Sequence, residues 1–275
     1  MNIQNLTEIL IKSGIEPNEA KCEIKMLAEH FCDYRESDKL RGKELSEEDL
    51  AIIKDKVLLR IKDRLPIQYI TGKAWFMGEY FKVTPDVLIP RDETEILVSE
   101  AIKIINKHDL KSVLDIGTGS GCIACTIAKR TNATVLGIDI SNSALRVALE
   151  NVTALNINNQ AVFRKSDIYD KIHPEEKFDI IISNPPYIPY NTELDAEVRH
   201  EPALALFAND NGLEYYKKIL EKAPCHLNSN GYITFELGIS EAESVKDIMS
   251  REFREIEILK DLAGIDRVII GKLIK

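Results

Sequence analysis

Apolar and polar positions along this chain change period twice. In the first stretch the apolar residues recur at helical spacing. Leu6, Ile9 and Leu10 share one face of a first helix. Ala20, Ile24, Leu27, Ala28 and Phe31 form the stripe of a second helix, which Pro17 opens. Proline suits a first helical position, where its missing N–H would have no partner anyway. Leu50, Ile53, Val57, Leu58 and Ile61 mark a third helix. It is preceded by Ser46-x-x-Asp49, a capping box with Asp in place of Glu. Residues 1–64 therefore read as a small helical bundle of mixed charge.

The period then shortens. Ile70-Thr71-Gly72 and residues 75–83 predict two short strands around a turn, so 65–90 reads as a β-hairpin linker. A helix is expected from about 93 to 107. Beyond residue 112, short apolar runs at 113–116, 135–138, 162–164, 178–182 and 232–236 alternate with helical patterns. Continuous apolar runs of this kind mark strands buried on both faces of a parallel sheet. Runs at 255–259 and 267–273 lie too close together for a helical crossover and should pair antiparallel. The expectation for 91–275 is an α/β domain with a doubly wound, mostly parallel, seven-stranded sheet. A long segment, 184–211, separates the fourth strand from the next helix, and loops of that length are commonly functional.

Composition narrows the classes. With 275 residues and 44% apolar content, the chain can bury real cores. A net charge of −9 argues against a protein whose main task is gripping nucleic-acid backbone. No apolar run approaches the roughly 20 residues of a membrane helix, and the start lacks the marks of a signal peptide. A cytoplasmic monomer is expected. The five cysteines are scattered. Cys122-x-x-Cys125 falls where a helix should begin and reads as two small buried residues one turn apart, with a redox pair as the alternative. His173 and His200 show no ligand or triad spacing, and no metal is expected.

Candidate chemistry sits at strand ends. Asp115-Ile116-Gly117-Thr118-Gly119-Ser120-Gly121 follows the first sheet strand and opens a helix. Its glycines let backbone approach a ligand. The spacing is G-x-G-x-G; Cys122 stands where a dinucleotide fingerprint needs its third glycine, which weighs against a nicotinamide-dependent dehydrogenase. Asp139 ends the second strand, where a carboxylate can bind a ribose diol. Asp167 ends the third, placed to meet an adenine edge. Together these favour S-adenosyl-L-methionine over a dinucleotide. The fourth strand ends in Asn184-Pro185-Pro186-Tyr187. Two prolines stiffen this loop and push Asn184 toward an extended backbone. Carbonyls at Asn184 and Pro185, with a ring at Tyr187, suit a planar –NH2 group, in an amide or in a nucleobase. A plain proline turn after a core strand is the alternative reading, as in a nucleoside-binding scaffold without catalysis.

Residues 183–188, the 115–121 turn, and the hairpin followed by Leu88-Ile89-Pro90-Arg91-Asp92-Glu93-Thr94-Glu95 together resemble the peptide chain release factor glutamine methyltransferases. Glu201-Pro202-Ala203-Leu204-Ala205-Leu206 and the tail 261–267 extend the resemblance over essentially the whole chain. It implies a class I S-adenosylmethionine-dependent methyltransferase acting on the glutamine amide of the Gly-Gly-Gln motif in class-1 release factors, and so modulating translation termination. It implies cofactor contacts at Gly117, Thr118, Gly119, Ser120, Gly121, Asp139, Asp167, Ile168 and Asn184. It implies substrate contacts at Asn184, Pro185, Pro186 and Tyr187, of which Asn184, Pro185 and Tyr187 carry the chemistry. Arg91 is read either as a contact to the partner protein or as a partner of Glu93 or Glu95. The chain departs from the family at Asp92, where Pro is common, at Ile168, where an aromatic is common, and at residues 207–212. A nucleic-acid amino methyltransferase acting on adenine or guanine could use the same loop. The bundle is expected to dock the protein substrate, with no direct role for nucleic acid or membrane.

Overall fold

A computed structural model describes residues 2–274. Two compact units are formed. One is the chain up to Lys73 together with Leu194–His200; the other is Ala74–Glu193 with the chain from Glu201 onward.

The first unit contains α1 (Ile3–Lys12), α2 (Pro17–Cys32), α3 (Glu36–Leu40), α4 (Glu47–Asp63) and α5 (Ile67–Thr71). Local chemistry sets their starts. Pro17 stands at the first position of α2. The Ser46 hydroxyl accepts the Asp49 N–H, and the Asp49 carboxylate takes the Ser46 N–H in return. Leu6, Leu10, Ile24, Leu27, Ile53 and Val57 close the core between α1, α2 and α4. The short α3 was not expected. The strand expected at 70–72 is also absent: 67–71 is one helical turn, ended by Gly72 in the left-handed conformation at φ 69°.

The 194–200 segment joins this unit through charge. Arg60 is buried, only 2% exposed, and pairs at 2.9 Å with both Glu23 and Glu197. Arg64 reaches Glu197 at 2.6 Å. Nothing in the apolar pattern announces this, because the partner lies 137 residues away.

The second unit begins one residue into a hairpin that consists of β1 (Lys73–Phe76) and β2 (Glu79–Lys82) alone. Met77 and Gly78, both at positive φ, make its two-residue turn. Then follow α6 (Asp92–His108), β3 (Ser112–Ile116), α7 (Cys122–Arg130), β4 (Thr134–Asp139), α8 (Asn142–Ala154), β5 (Ala161–Lys165), β6 (Phe178–Ser183), β7 (Ile188–Pro189), α9 (Ala203–Leu206) and β8 (Phe207–Ala208). The unit ends with α10 (Glu214–His226), β9 (Leu227–Glu236), α11 (Ala242–Met249), β10 (Phe253–Lys260) and β11 (Asp266–Leu273).

The main sheet has seven strands in the order β10-β11-β9-β6-β3-β4-β5. Ladders β5/β4, β4/β3, β3/β6 and β6/β9 are parallel. β11 runs antiparallel to both β9 and β10, as the short 261–265 connection requires. Alternation along each strand feeds two cores. Val113, Ile180 and Ile182 point to the face covered by α6 and α7. Leu114, Ile181 and Phe235 point to the face covered by α10 and α11. Cys122 and Cys125 are buried in α7 and act as small core residues, with burial holding both thiols protonated. β7 pairs in parallel with β8, Ile188 opposite Phe207, which ties down the chain just after Tyr187.

Candidate active site

The chain leaves β3 for β4 and β5 on one side, then returns to place β6 on the other. Loops at the carboxyl ends of β3 and β6 therefore diverge, and this switch point opens a crevice. The crevice encloses about 190 Å³ accessible to the centres of water molecules. Its lining comes from all four neighbouring strand ends: Gly117 and Gly119, Asp139, Asp167 and Ile168, and Asn184-Pro185-Pro186. Val87, Leu88, Tyr215 and Lys218 close other walls.

The glycine turn is folded by its own backbone. Gly117, Gly119 and Gly121 all adopt positive φ. The Gly117 and Thr118 N–H groups both donate to the Ile138 carbonyl at 2.9 Å. Thr118 turns inward, its hydroxyl donating to Asp115 at 2.6 Å, and Ser120 is buried. Gly117 and Gly119 thus line the cavity, while Thr118, Ser120 and Gly121, expected to touch the cofactor, lie behind it.

Asp139 is held at the cavity's edge. Its Oδ2 accepts the Gly119 N–H at 2.9 Å and its Oδ1 accepts the Ser141 N–H at 2.8 Å. Burial raises its carboxyl above the usual carboxylate range, and these N–H groups oppose that rise. Each carboxylate oxygen has two lone-pair sites, and with the backbone N–H groups of Ser141, Gly119 and Ile140 acting on the pair, capacity remains for a ligand hydroxyl. Ile138, Ile140, Ala144, Ile168 and Ile219 supply an apolar slot beside it. A carboxylate next to an apolar slot fits a nucleoside, ribose toward Asp139 and base toward Ile168.

At the other end, the Asn184 Nδ2 donates to the Thr94 hydroxyl at 3.2 Å. Thr94 donates to Glu236 Oε2 at 2.6 Å, and the Tyr187 phenol donates to Glu236 Oε1 at 3.3 Å. Burial pushes the Glu236 carboxyl up to about 7, against the pull of these two hydroxyls. Burial and the adjacent Glu236 push the Tyr187 phenol upward, so it stays a proton donor. Tyr187 does not line the cavity. Its ring packs against the core of the second face.

Arg91 pairs with Glu201, and neither Glu93 nor Glu95 takes that place. Glu201, buried, also accepts the Ile89 N–H at 3.1 Å. Arg91 is outside the cavity lining and braces the segment before α6. Tyr215, Lys218, Thr94 and Glu236 escaped the sequence reading. Thr94 and Glu236 are 142 residues apart, and only the packing of α6 beside β9 joins them. Among the described residues no cluster of His, Cys, Asp or Glu could hold a metal ion.

Fold and site together define a Rossmann-like methyltransferase. The model of the methyltransferase small domain matches residues 93–201. A release factor glutamine methyltransferase of Lactococcus lactis is 42% identical over 250 residues, 87% of this chain and 91% of that one. Another, from Fusobacterium nucleatum, is 40% identical over 236 residues, 84% of this chain and 66% of that longer one. The chain belongs to the release factor glutamine methyltransferases. Among solved structures, a 16S rRNA N2 G1207 methyltransferase of Thermus thermophilus, in complex with AdoMet and guanosine, shares the fold. Its TM-score is 0.54 at 17% identity, covering 73% of this chain and 49% of that one.

Proposed function

We propose that this protein methylates the side-chain amide nitrogen of the glutamine in the Gly-Gly-Gln motif of class-1 release factors, using S-adenosyl-L-methionine. The observation that carries the reading is the placement of Asn184 and Asp139 on one crevice, an amide-reading loop facing a nucleoside slot. Asp139 would hold the ribose, and Ile168, Ile219 and the Tyr215 ring would flank the adenine. Tyr215 then supplies from α10 the aromatic surface that Ile168 lacks.

When bound, the cofactor supplies an electrophilic methyl group on a sulfonium. The chain's residues do the rest. An amide nitrogen is a weak nucleophile because its lone pair is delocalised into the carbonyl. Asn184 Oδ1 and the Pro185 carbonyl accept its two N–H groups, orient the nitrogen and favour positive charge as it pyramidalises. Orientation of this kind supplies several kcal/mol, and carbonyl dipoles aimed at developing charge add an electrostatic share. Pro186 keeps the loop stiff, and Tyr187 anchors its end on Glu236. The surplus proton on the methylated amide passes to water, so no side-chain base is required.

The bundle and the hairpin are proposed to dock the body of the release factor. Incubation of this protein with S-adenosyl-L-methionine and purified release factors, followed by mass spectrometry, tests the main reading. One added methyl on the Gly-Gly-Gln glutamine is expected. Transfer to RNA or DNA, with none to release factor, would favour the nucleobase alternative and overturn it. The net charge of −9 already weighs against that alternative.

A further inference from the structure

Asn184 can show the cavity either its oxygen or its NH2, and one hydroxyl decides which. Thr94 has a single hydroxyl proton, and it goes to Glu236 Oε2. The Thr94 oxygen can then only accept, and Asn184 Nδ2 is its donor. A flipped Asn184 would set its Oδ1 against a hydroxyl with no proton left to give. Oδ1 is therefore the atom that remains for the cavity. The same carboxylate takes the Tyr187 proton on its other oxygen. One buried acid at the end of β9 sets the direction of hydrogen bonding at both polar side chains of the loop. The groups facing it are Glu93 and Thr94 from α6, Tyr187 from the loop, Arg267 from β11 and Cys122 from α7.

We infer that Glu236 and Thr94 are positioning residues for methyl transfer: the ionised carboxylate orders the Thr94 hydroxyl so that Asn184 presents its oxygen to the substrate NH2. The inference rests on the reading that Asn184 accepts an N–H of the substrate amide. When Glu236 is protonated it can donate to Thr94, Thr94 can donate to Asn184, and the amide turns its NH2 to the cavity. Donor then faces donor, and the nitrogen loses its orientation. Burial has already lifted the Glu236 carboxyl to about 7, so the reversal falls within a range where an enzyme can be assayed.

The test uses the full chain with a release factor as substrate and calorimetry of S-adenosylhomocysteine binding as a second readout. Thr94→Val keeps the side chain's shape and removes the hydroxyl. Its kcat is expected to fall roughly ten- to hundredfold, with the affinity for S-adenosylhomocysteine unchanged. Thr94→Ser keeps the hydroxyl and is expected to retain most of the turnover. A packing role would reverse that order, because serine lacks the methyl and valine has it. The kcat of the unmodified chain is expected to drop on the acid side through one ionisation, and Glu236→Gln to lack that limb. Asn184→Ala completes the panel. Wild-type turnover in Asn184→Ala would refute the amide-clamp reading itself. If Asn184→Ala is inactive while Thr94→Val turns over normally, or if Glu236→Gln keeps the acid limb, the positioning inference alone falls.

Discussion

A Cβ placed on Gly212 would lie 2.4 Å from the Tyr187 carbonyl oxygen. It would also lie 2.0 Å from Glu241 Oε1, and Gly212 sits at φ +94°. The far end of the Asn184–Tyr187 loop thus rests directly on the backbone of the turn before α10. Gly212→Ala is expected to destabilise the chain by roughly 2–5 kcal/mol, from a left-handed φ and from overpacking. Denaturant unfolding would measure it, and turnover should fall as the loop is displaced. Wild-type stability would show that the turn can shift freely and that this seat is not specific.

Asp139 is expected to govern cofactor affinity. Asp139→Asn keeps an acceptor for one backbone N–H and removes the charge. Loss of a hydrogen bond from a charged group is worth about 1.5–3 kcal/mol, so the dissociation constant should rise on the order of ten- to a hundredfold. At saturating cofactor, kcat should change little. Unaltered affinity by calorimetry would place the ribose elsewhere.

Glu241 gives a pH dependence of stability. Its carboxyl is pushed up to about 7 by burial, with the Tyr216 hydroxyl and Gly238 N–H opposing. The folded chain therefore holds this proton at pH values where the unfolded chain, near 4.5, has released it. Stability from this site is full below that unfolded value and is lost as pH rises through about 7. Glu241→Gln carries no such loss. Its melting temperature relative to wild type should be higher at pH 8 than at pH 5 by roughly 2–4 °C. An offset that does not vary with pH would show that this acid is ionised normally in the fold.

Arg60 tests the helical unit. Removing one partner of a buried ion pair leaves the other charge uncompensated, at a cost of about 3–5 kcal/mol. Arg60→Ala should destabilise the unit by that order, since Glu23 is 3% exposed and burial already raises its carboxyl. Glu197→Gln, whose carboxylate is partly exposed, should cost less. Thermal unfolding of both variants would check the ranking.

Trp75 and Tyr80 on the hairpin are 57% and 58% exposed and meet edge to face at 4.8 Å. An exposed aromatic pair of this kind suits a protein partner. If the hairpin docks the release factor, Trp75→Ala with Tyr80→Ala should raise KM for whole release factor more than for a short glutamine peptide. Equal effects on both substrates would count against docking there.

Most of the fold was legible because it rests on local periodicity. Runs of branched apolar residues marked the seven strands, and the short 261–265 connection by itself settled the antiparallel pair. The reading failed at 70–72, where Thr71 bonds back to the Ile67 carbonyl and Gly72 caps a helical turn, so a strand-like composition became helix. It also left open where Tyr187 sits, with its ring on the core of the second face and its phenol on Glu236, because an aromatic in a loop carries no sign of which way its ring will face. Arg91 was weighed against Glu93 and Glu95, two and four residues away, while its partner, Glu201, arrives from 110 residues on.

By itself the sequence determined the sheet, the glycine turn, the acidic strand end and the stiff Asn184–Tyr187 loop. Each of these follows from backbone preferences acting over a few residues. Only the tertiary structure decided which way those groups point. Asn184 bonds to a hydroxyl from α6 that is itself held by a carboxylate from β9, and burial raises that carboxyl above its ordinary value. Such a network has no local signature, because each member is an ordinary residue until packing removes the water around it.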